Sequence, residues 1–200
     1  MLSQLGQFDE AIGHAEAAVR IAEAADHPFT LYWGLFDLGR AHLRRGDLPR
    51  ATRVLERGLD VCRTWQFVEG IPFLAAALGA AYALAGRVDE AIPLVAGAVE
   101  EFRRRPHPIM PALIFLCAGM TCLAAGRIDE AWSHAREALT LSRQLGARGS
   151  EADALCLAGD VASAGDAEDA PGYYREALAL AGELGMRPLV AHCHLGLGRL

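Results

Sequence analysis

The chain has 200 residues, 52% of them hydrophobic, and 19 basic against 25 acidic residues give a net charge of −6. That is enough apolar material for a sizeable core. The only basic run is Arg103-Arg104-Arg105, which argues against nucleic acid, because phosphate recognition needs several clustered cations. No apolar stretch is long and charge-free enough to span a membrane, and the opening MLSQLGQFDE has neither the basic nor the apolar region of a secretory signal.

Helical periodicity and its breakers predict helices over 7–25, 28–45, 48–65, 68–85, 88–104, 108–125, 128–145, 149–164, 167–184 and 187–200. The breakers are His27-Pro28, Gly70-Ile71-Pro72, Pro106-His107-Pro108, Gly146 to Gly149, and Gly185 to Pro188. No strand pattern intervenes, so the fold class is all-α.

The helices repeat. Gly6, Gly46, Gly86, Gly126 and Gly165 open the hexads GQFDEA, GDLPRA, GRVDEA, GRIDEA and GDAEDA at steps of 40, 40, 40 and 39. Gly39, Gly79, Gly119, Gly159 and Gly198 run in the same register. So do Ala11, Ala51, Ala91, Ala131 and Ala170, and, seven residues further on, Ala18, Gly58, Ala98, Ala138 and Ala177. Four aligned series define one unit used five times. Each unit reads as two helices. The hexad glycine ends the first, and acidic residues such as Asp9-Glu10, Asp89-Glu90, Asp129-Glu130 and Glu168-Asp169 suit the positive start of the second. Residues seven apart share a helix face, so the small residues are expected to meet the facing glycines where the two helices come close.

These features resemble the tetratricopeptide repeat (TPR), whose first helix reads W-x2-L-G-x2-Y and whose second reads A-x3-F followed by a later A. Leu38-Gly39 and Leu78-Gly79-Ala80-Ala81-Tyr82 match the first, and Ala170, Tyr174 and Ala177 the second. The unit departs in its period of 40 rather than 34. It departs also at the tryptophan position, held by Leu35, Ala75, Phe115, Leu155 and His194. The resemblance implies a right-handed superhelix of about five hairpins in a single domain, with units near 1–26, 27–66, 67–106, 107–147, 148–185 and a partial 186–200. Gly6 and Gly198 lie close to the two ends of the sequence, so the array is expected to be truncated at both. Long units of this kind, and the closing MRPLVAHCHLGLGRL, are similar to arrays attached to bacterial signalling ATPases, namely maltose-type transcription activators and ATPase-linked nucleotide cyclases.

Catalytic signals are weak. The chain has no lysine, which removes the Walker A, Schiff-base and kinase chemistries, and no asparagine, which removes N-glycosylation. Cys62, Cys117, Cys122, Cys156 and Cys193 are odd in number and never spaced as CxxC, so they read as small core residues in a cytoplasmic protein. His192 and His194 point about 200° apart on a helix and cannot share an ion; His194 is expected to pack between helices. Glu10/His14 and Glu130/His134 read as surface i,i+4 pairs. No cofactor, metal or catalytic residue is assigned.

What the family implies is a concave face lined by the first helices: Trp33, Phe36, Arg40, Arg44, Phe73, Ala76, Ala80, Leu84, Leu113, Leu116, Met120, Asp153, Cys156, Asp160 and His192, then Leu195 and Arg199. Its middle is apolar, its early flank basic and its late flank acidic. Such a face suits an amphipathic helix or an extended peptide. The expected function is a non-enzymatic protein-interaction scaffold in a sensor or regulatory arm, with a protein or peptide, or an ATPase or cyclase module on the same chain, as partner. A stand-alone adaptor and a small-molecule sensor, with a pocket near Trp33 and Phe73, are the alternatives. The family's carboxylate clamp, which uses lysine and asparagine, has no counterpart here.

Overall fold

A computed structural model describes residues 2–106, 109–165 and 169–200. Among these, eleven helices and no strand occur: α1 (Leu2–Leu5), α2 (Phe8–Ala24), α3 (Pro28–Arg45), α4 (Leu48–Thr64), α5 (Ile71–Leu84), α6 (Val88–Arg104), α7 (Pro111–Ala124), α8 (Ile128–Gln144), α9 (Arg148–Ala164), α10 (Ala170–Glu183) and α11 (Arg187–Arg199). The breaker residues His107 and Pro108, and the acidic Glu168, lie outside the described residues. The ten predicted helices are all present, with boundaries shifted by at most three residues. Proline sets many of the starts: Pro28, Pro49, Pro72, Pro111, Pro171 and Pro188 each fill one of the first two helical positions, where a missing N–H leaves nothing unpaired. The helix predicted from 68 therefore begins at Ile71, beside Pro72.

The hairpins α3–α4, α5–α6, α7–α8 and α9–α10 stack in order into a right-handed superhelix. Gly6, Gly46, Gly86 and Gly126 turn the chain at φ +84°, +84°, +80° and +71°, the left-handed region that glycine enters without a Cβ penalty. Gly165 has φ −98°.

The second glycine series is a packing device. A Cβ on Gly39 would lie 2.5 Å from Cγ of Leu55. One on Gly79 would overlap Cγ2 of Val95 and sit 3.2 Å from the Ala91 carbonyl oxygen, and one on Gly159 would lie 2.8 Å from the Tyr174 ring. The side chain over each of these three glycines is the residue four beyond the hexad alanine, and the backbone of the small residues also comes close, at Ala91 over Gly79 and at Ala131, whose carbonyl oxygen lies 3.4 Å from the Cβ position of Gly119. Where that residue is Ala135, the space above Gly119 is filled by Leu157 of the next hairpin, 2.7 Å from the Cβ position. Gly198 has open space around it and makes no such approach. Gly58 faces both ways: a Cβ there would meet Leu74 of α5 in the next hairpin at 2.7 Å and Leu35 Cβ of its own hairpin at 3.4 Å. Ala11 and Ala18 are only half-buried, because the short α1 covers little of α2.

One core cluster runs from Tyr32 to Val161 across the hairpins. Helix α5 lies at its middle and buries every residue from Pro72 to Ala83, so it shows no polar face. Leu55 and Leu74 are fully buried, each contributing about 1.5–3 kcal/mol of transfer free energy. On the outer surface Arg57–Glu23 and Arg103–Glu137 link successive second helices, and Arg148–Glu183 joins the two helices of the α9–α10 hairpin. Each such exposed pair is worth about 0–1 kcal/mol.

His42 is buried in the last turn of α3 with Nδ1 unbonded, 3.8 Å from Asp47 Oδ2. Burial pushes its pKa below 6.5, with Asp47 and Glu16 opposing and Arg50 and Arg45 assisting. His134 departs from its expected place. It does not pair with Glu130, which Arg127 holds at 2.5 Å, and its ring lies against Phe115 at 6.1 Å. His14 does reach Glu10, at 3.8 Å in solvent. His194, expected between helices, is instead exposed on α11.

Two outcomes are expected. Gly79→Ala lowers stability by about 1–3 kcal/mol through overpacking, whereas Gly97→Ala, in α6 with nothing within 4 Å, raises it by about 1 kcal/mol; urea denaturation of both variants reads the two signs. As pH falls from 6.5, the unfolded chain takes a proton that folded His42 refuses, so stability drops until the depressed folded value is passed. The melting temperature of His42→Leu should fall less between about pH 7 and 5 than that of the parent.

Candidate functional site

The superhelix curls far enough for its first and last helices to meet. Helix α1 packs on α11, where a Cβ on Gly6 would stand 3.3 Å from Pro188 Cδ. The Gln4 side-chain amide donates to Asp153 Oδ2 at 3.5 Å. Arg44 Nη2 on α3 donates to the same oxygen at 2.5 Å, so a bridge crosses from the second hairpin to α9. The basic and acidic flanks read from the sequence face each other and pair.

Beneath this bridge lies a half-enclosed cavity of about 210 Å³. It is lined by α3, α5, α7, α9 and α11, and by no second helix of a hairpin. Arg40, Arg44, Leu84, Leu113, Leu116, Met120, Asp153, Cys156, Asp160 and His192 all border it, so the structure brings these predicted residues together. Leu43, Ala77, Cys117, Leu157 and Leu189 complete the wall; their places one turn from the predicted residues were the available signal. The remaining predicted residues lie elsewhere. Phe36, Phe73, Ala76 and Ala80 are buried core. Trp33 packs against Phe36 and Phe73, ring centroids 5.7 and 6.4 Å away, and Phe73 borders a separate cavity with Val68, Pro72 and Phe102, which Trp33 does not line. Leu195 and Arg199 are exposed on α11 and do not border the cavity. An α-helix is about 10–12 Å across with its side chains and does not fit this space; one apolar side chain or a small ligand does.

Polar groups stand at both ends of the cavity. At one end Arg40 lies 5.2 Å over the Phe36 ring and reaches Met110 Sδ at 3.7 Å. Among the described residues no carboxylate lies within 4.0 Å of it. Burial, then the Arg44 charge, lowers its pKa from the ordinary guanidinium value. At the other end His192 Nε2 lies 2.9 and 3.0 Å from the two Asp160 oxygens. That hydrogen bond raises the His192 pKa above 6.5 despite partial burial. Tyr174 OH donates to Asp160 Oδ1 at 2.7 Å, and burial pushes the phenol up. Cys156 and Cys193 are buried and reduced, 3.7 Å apart. The Cys117 thiol, also in the wall, is pushed up to about 11 by burial.

A sequence profile of the tetratricopeptide repeat family matches residues 1–64, and the register and hairpin stacking described above carry the same unit through the rest of the chain. The chain is a TPR-like helical repeat protein. Solved repeat structures share its fold. PlcR of Bacillus thuringiensis, in complex with the peptide PapR7 and DNA, aligns at TM-score 0.75 and 14% identity, over 96% of this chain and 70% of that one. BtubC (BKLC) of P. vanneervenii aligns at 0.64 and 17%, over 96% and 84%. The kinesin light chain TPR-like repeats of Podosopora anserina align at 0.59 and 19%, over 92% and 91%. At these identities the likeness is one of fold. No curated protein sequence matches the TPR-like chain. TPR repeats suit a protein-interaction scaffold, and no described helix is long and apolar enough to cross a membrane.

The Arg44–Asp153 bridge is the most protected ion pair at the site, with side chains 25% and 14% exposed. A double-mutant cycle of Arg44→Met and Asp153→Asn should give a coupling free energy above about 1 kcal/mol, against a few tenths for exposed pairs.

Proposed function

We propose that this TPR-like protein is a non-catalytic binding module whose concave cavity takes a short peptide by one apolar residue and a free carboxylate. The observation that carries this is the pairing of an apolar cavity of about 210 Å³ with Arg40, a cavity-lining cation that has no carboxylate partner within 4.0 Å among the described residues. A peptide C-terminus supplies both an apolar side chain and an anion, and a guanidinium binds a carboxylate through paired, charge-assisted hydrogen bonds. The fold shared with PlcR, a structure solved with a peptide, supports the ligand class. DNA is not carried over with it: Arg103, Arg104 and Arg105 are tied to Glu137 and Glu101, which leaves no cation cluster in that run for phosphates. Within a longer polypeptide, the module serves as the sensor or regulatory arm of a signalling ATPase or nucleotide cyclase. Occupancy of the cavity then sets the spacing of α3 and α9 and so the curl of the array.

A small carboxylate without a peptide backbone is the second reading, favoured by the cavity volume, which lies below the roughly 300 Å³ of drug-sized pockets. Fluorescence anisotropy with labelled hexapeptides ending in Leu, Met or Phe, each with a free or an amidated C-terminus, separates the readings. The free-acid form of at least one is expected to bind at least about tenfold tighter than its amide. Arg40→Met should erase that difference, and Leu113→Trp should fill the cavity and abolish binding. No binding by any free-acid peptide, or binding indifferent to Leu113→Trp, would overturn the proposal.

A further inference from the structure

Cys156 and Asp160 stand four residues apart on α9 and share one of its faces. His192 reaches them from α11. One donor atom from each, a sulfur, a carboxylate oxygen and an imidazole nitrogen, lies within 4.8 Å of the other two. Tetrahedral zinc, with bonds of about 2.0–2.3 Å, holds its donor atoms roughly 3.3–3.7 Å apart. The three side chains are therefore within about 1.5 Å of that arrangement, with Asp160 and His192 already in contact.

We propose that Cys156, Asp160 and His192 form a binding site for a divalent transition metal, zinc by their donor chemistry. A thiolate with an imidazole and one carboxylate suits zinc or cobalt, whereas magnesium and calcium require oxygen donors. The surroundings match a metal site, in which outer hydrogen bonds orient the ligands. Tyr174 OH fixes Asp160 Oδ1 from α10 at 2.7 Å. The Cys193 thiol lies 3.7 Å from Cys156 Sγ; that contact and burial hold the Cys156 thiol above its ordinary value, so the metal must displace its proton on binding. Three protein ligands leave a fourth position, as in zinc sites that bind an exchangeable group. All three residues border the cavity, so the fourth position opens into it. A thiolate and a carboxylate neutralise the ion, and the apolar wall then meets a neutral centre able to accept one donor atom from whatever occupies the cavity. The sequence hides the site because His192 and His194, the visible pair, face apart, while the partners of His192 lie on α9.

The test uses metal alone, so its outcome is independent of the peptide reading. The full, reduced chain, freed of metal, is titrated with Co²⁺ and followed by visible and near-ultraviolet absorption. The expected result is one equivalent bound, with intense tetrahedral d–d bands and a thiolate-to-cobalt charge-transfer band that stoichiometric Zn²⁺ bleaches. Cys156→Ser should lose the charge-transfer band, and His192→Gln should weaken binding well over tenfold, while His194→Gln retains both. Circular dichroism checks the fold of each variant. Should Cys156→Ser fail to fold, His192→Gln decides alone, since that side chain is half-exposed. Absence of a tetrahedral spectrum at one equivalent, or a spectrum unchanged in His192→Gln, overturns the proposal.

Discussion

The contact on which the architecture depends is a helix backbone pressed onto an aliphatic or aromatic side chain: Gly39 on Leu55, Gly79 on Val95, Gly119 on Leu157 and Gly159 on Tyr174. Each glycine costs its helix about 1 kcal/mol relative to alanine. The cost is offset because the missing Cβ lets two helices approach closely enough to bury the partner completely or nearly so. With Gly39, Gly79 and Gly159 drawing the two helices of their hairpins together, and Gly119 and Gly58 joining one hairpin to the next, the geometry of one unit is copied to its neighbour. Copying a fixed rotation five times is what bends the array.

The bend creates the site. No single unit contains a pocket of this kind; the cavity exists because α3 and α9, separated by more than a hundred residues, face each other across the curl and join through Arg44 and Asp153. The charge separation along the concave face is thus a closing contact as well as a recognition pattern. The same curvature leaves Arg40 beside an apolar space, against the Phe36 ring and the Met110 thioether, and gathers Cys156, Asp160 and His192 at the far wall. Those polar groups are held by helices whose positions are set by core packing, which keeps the site's geometry tied to the repeat rather than to loops.

Much of the fold was legible because local rules and the repeat agreed. Proline at helix starts, hexad glycines at positive φ, and buried alanines at fixed steps all mark the same boundaries. The site was legible only in part. Register identifies which helices line the concave face, but it treats every unit as open. Hence Phe36, Phe73, Ala76 and Ala80 were placed on a free surface, although the bulky aromatic cluster of α3 and α5 and the close stacking of α5 bury them. The closing bridge and the Cys156–Asp160–His192 cluster depend on contacts between helices in different units, which periodicity does not encode. His134 shows the same limit locally: its spacing to Glu130 is right for a pair, but Arg127 competes for the carboxylate and Phe115 holds the ring.

The curl is the claim from which the cavity, the bridge and both sites follow, and small-angle X-ray scattering of the monomer tests it directly. A 200-residue chain closed on itself should approach the compact-domain value, a radius of gyration of about 17 Å. A value near that figure supports the closed concave site. A value above about 21 Å, well outside the compact range, would mean that the array is extended in solution, that α1 does not meet α11, and that the cavity between α3 and α9 does not persist.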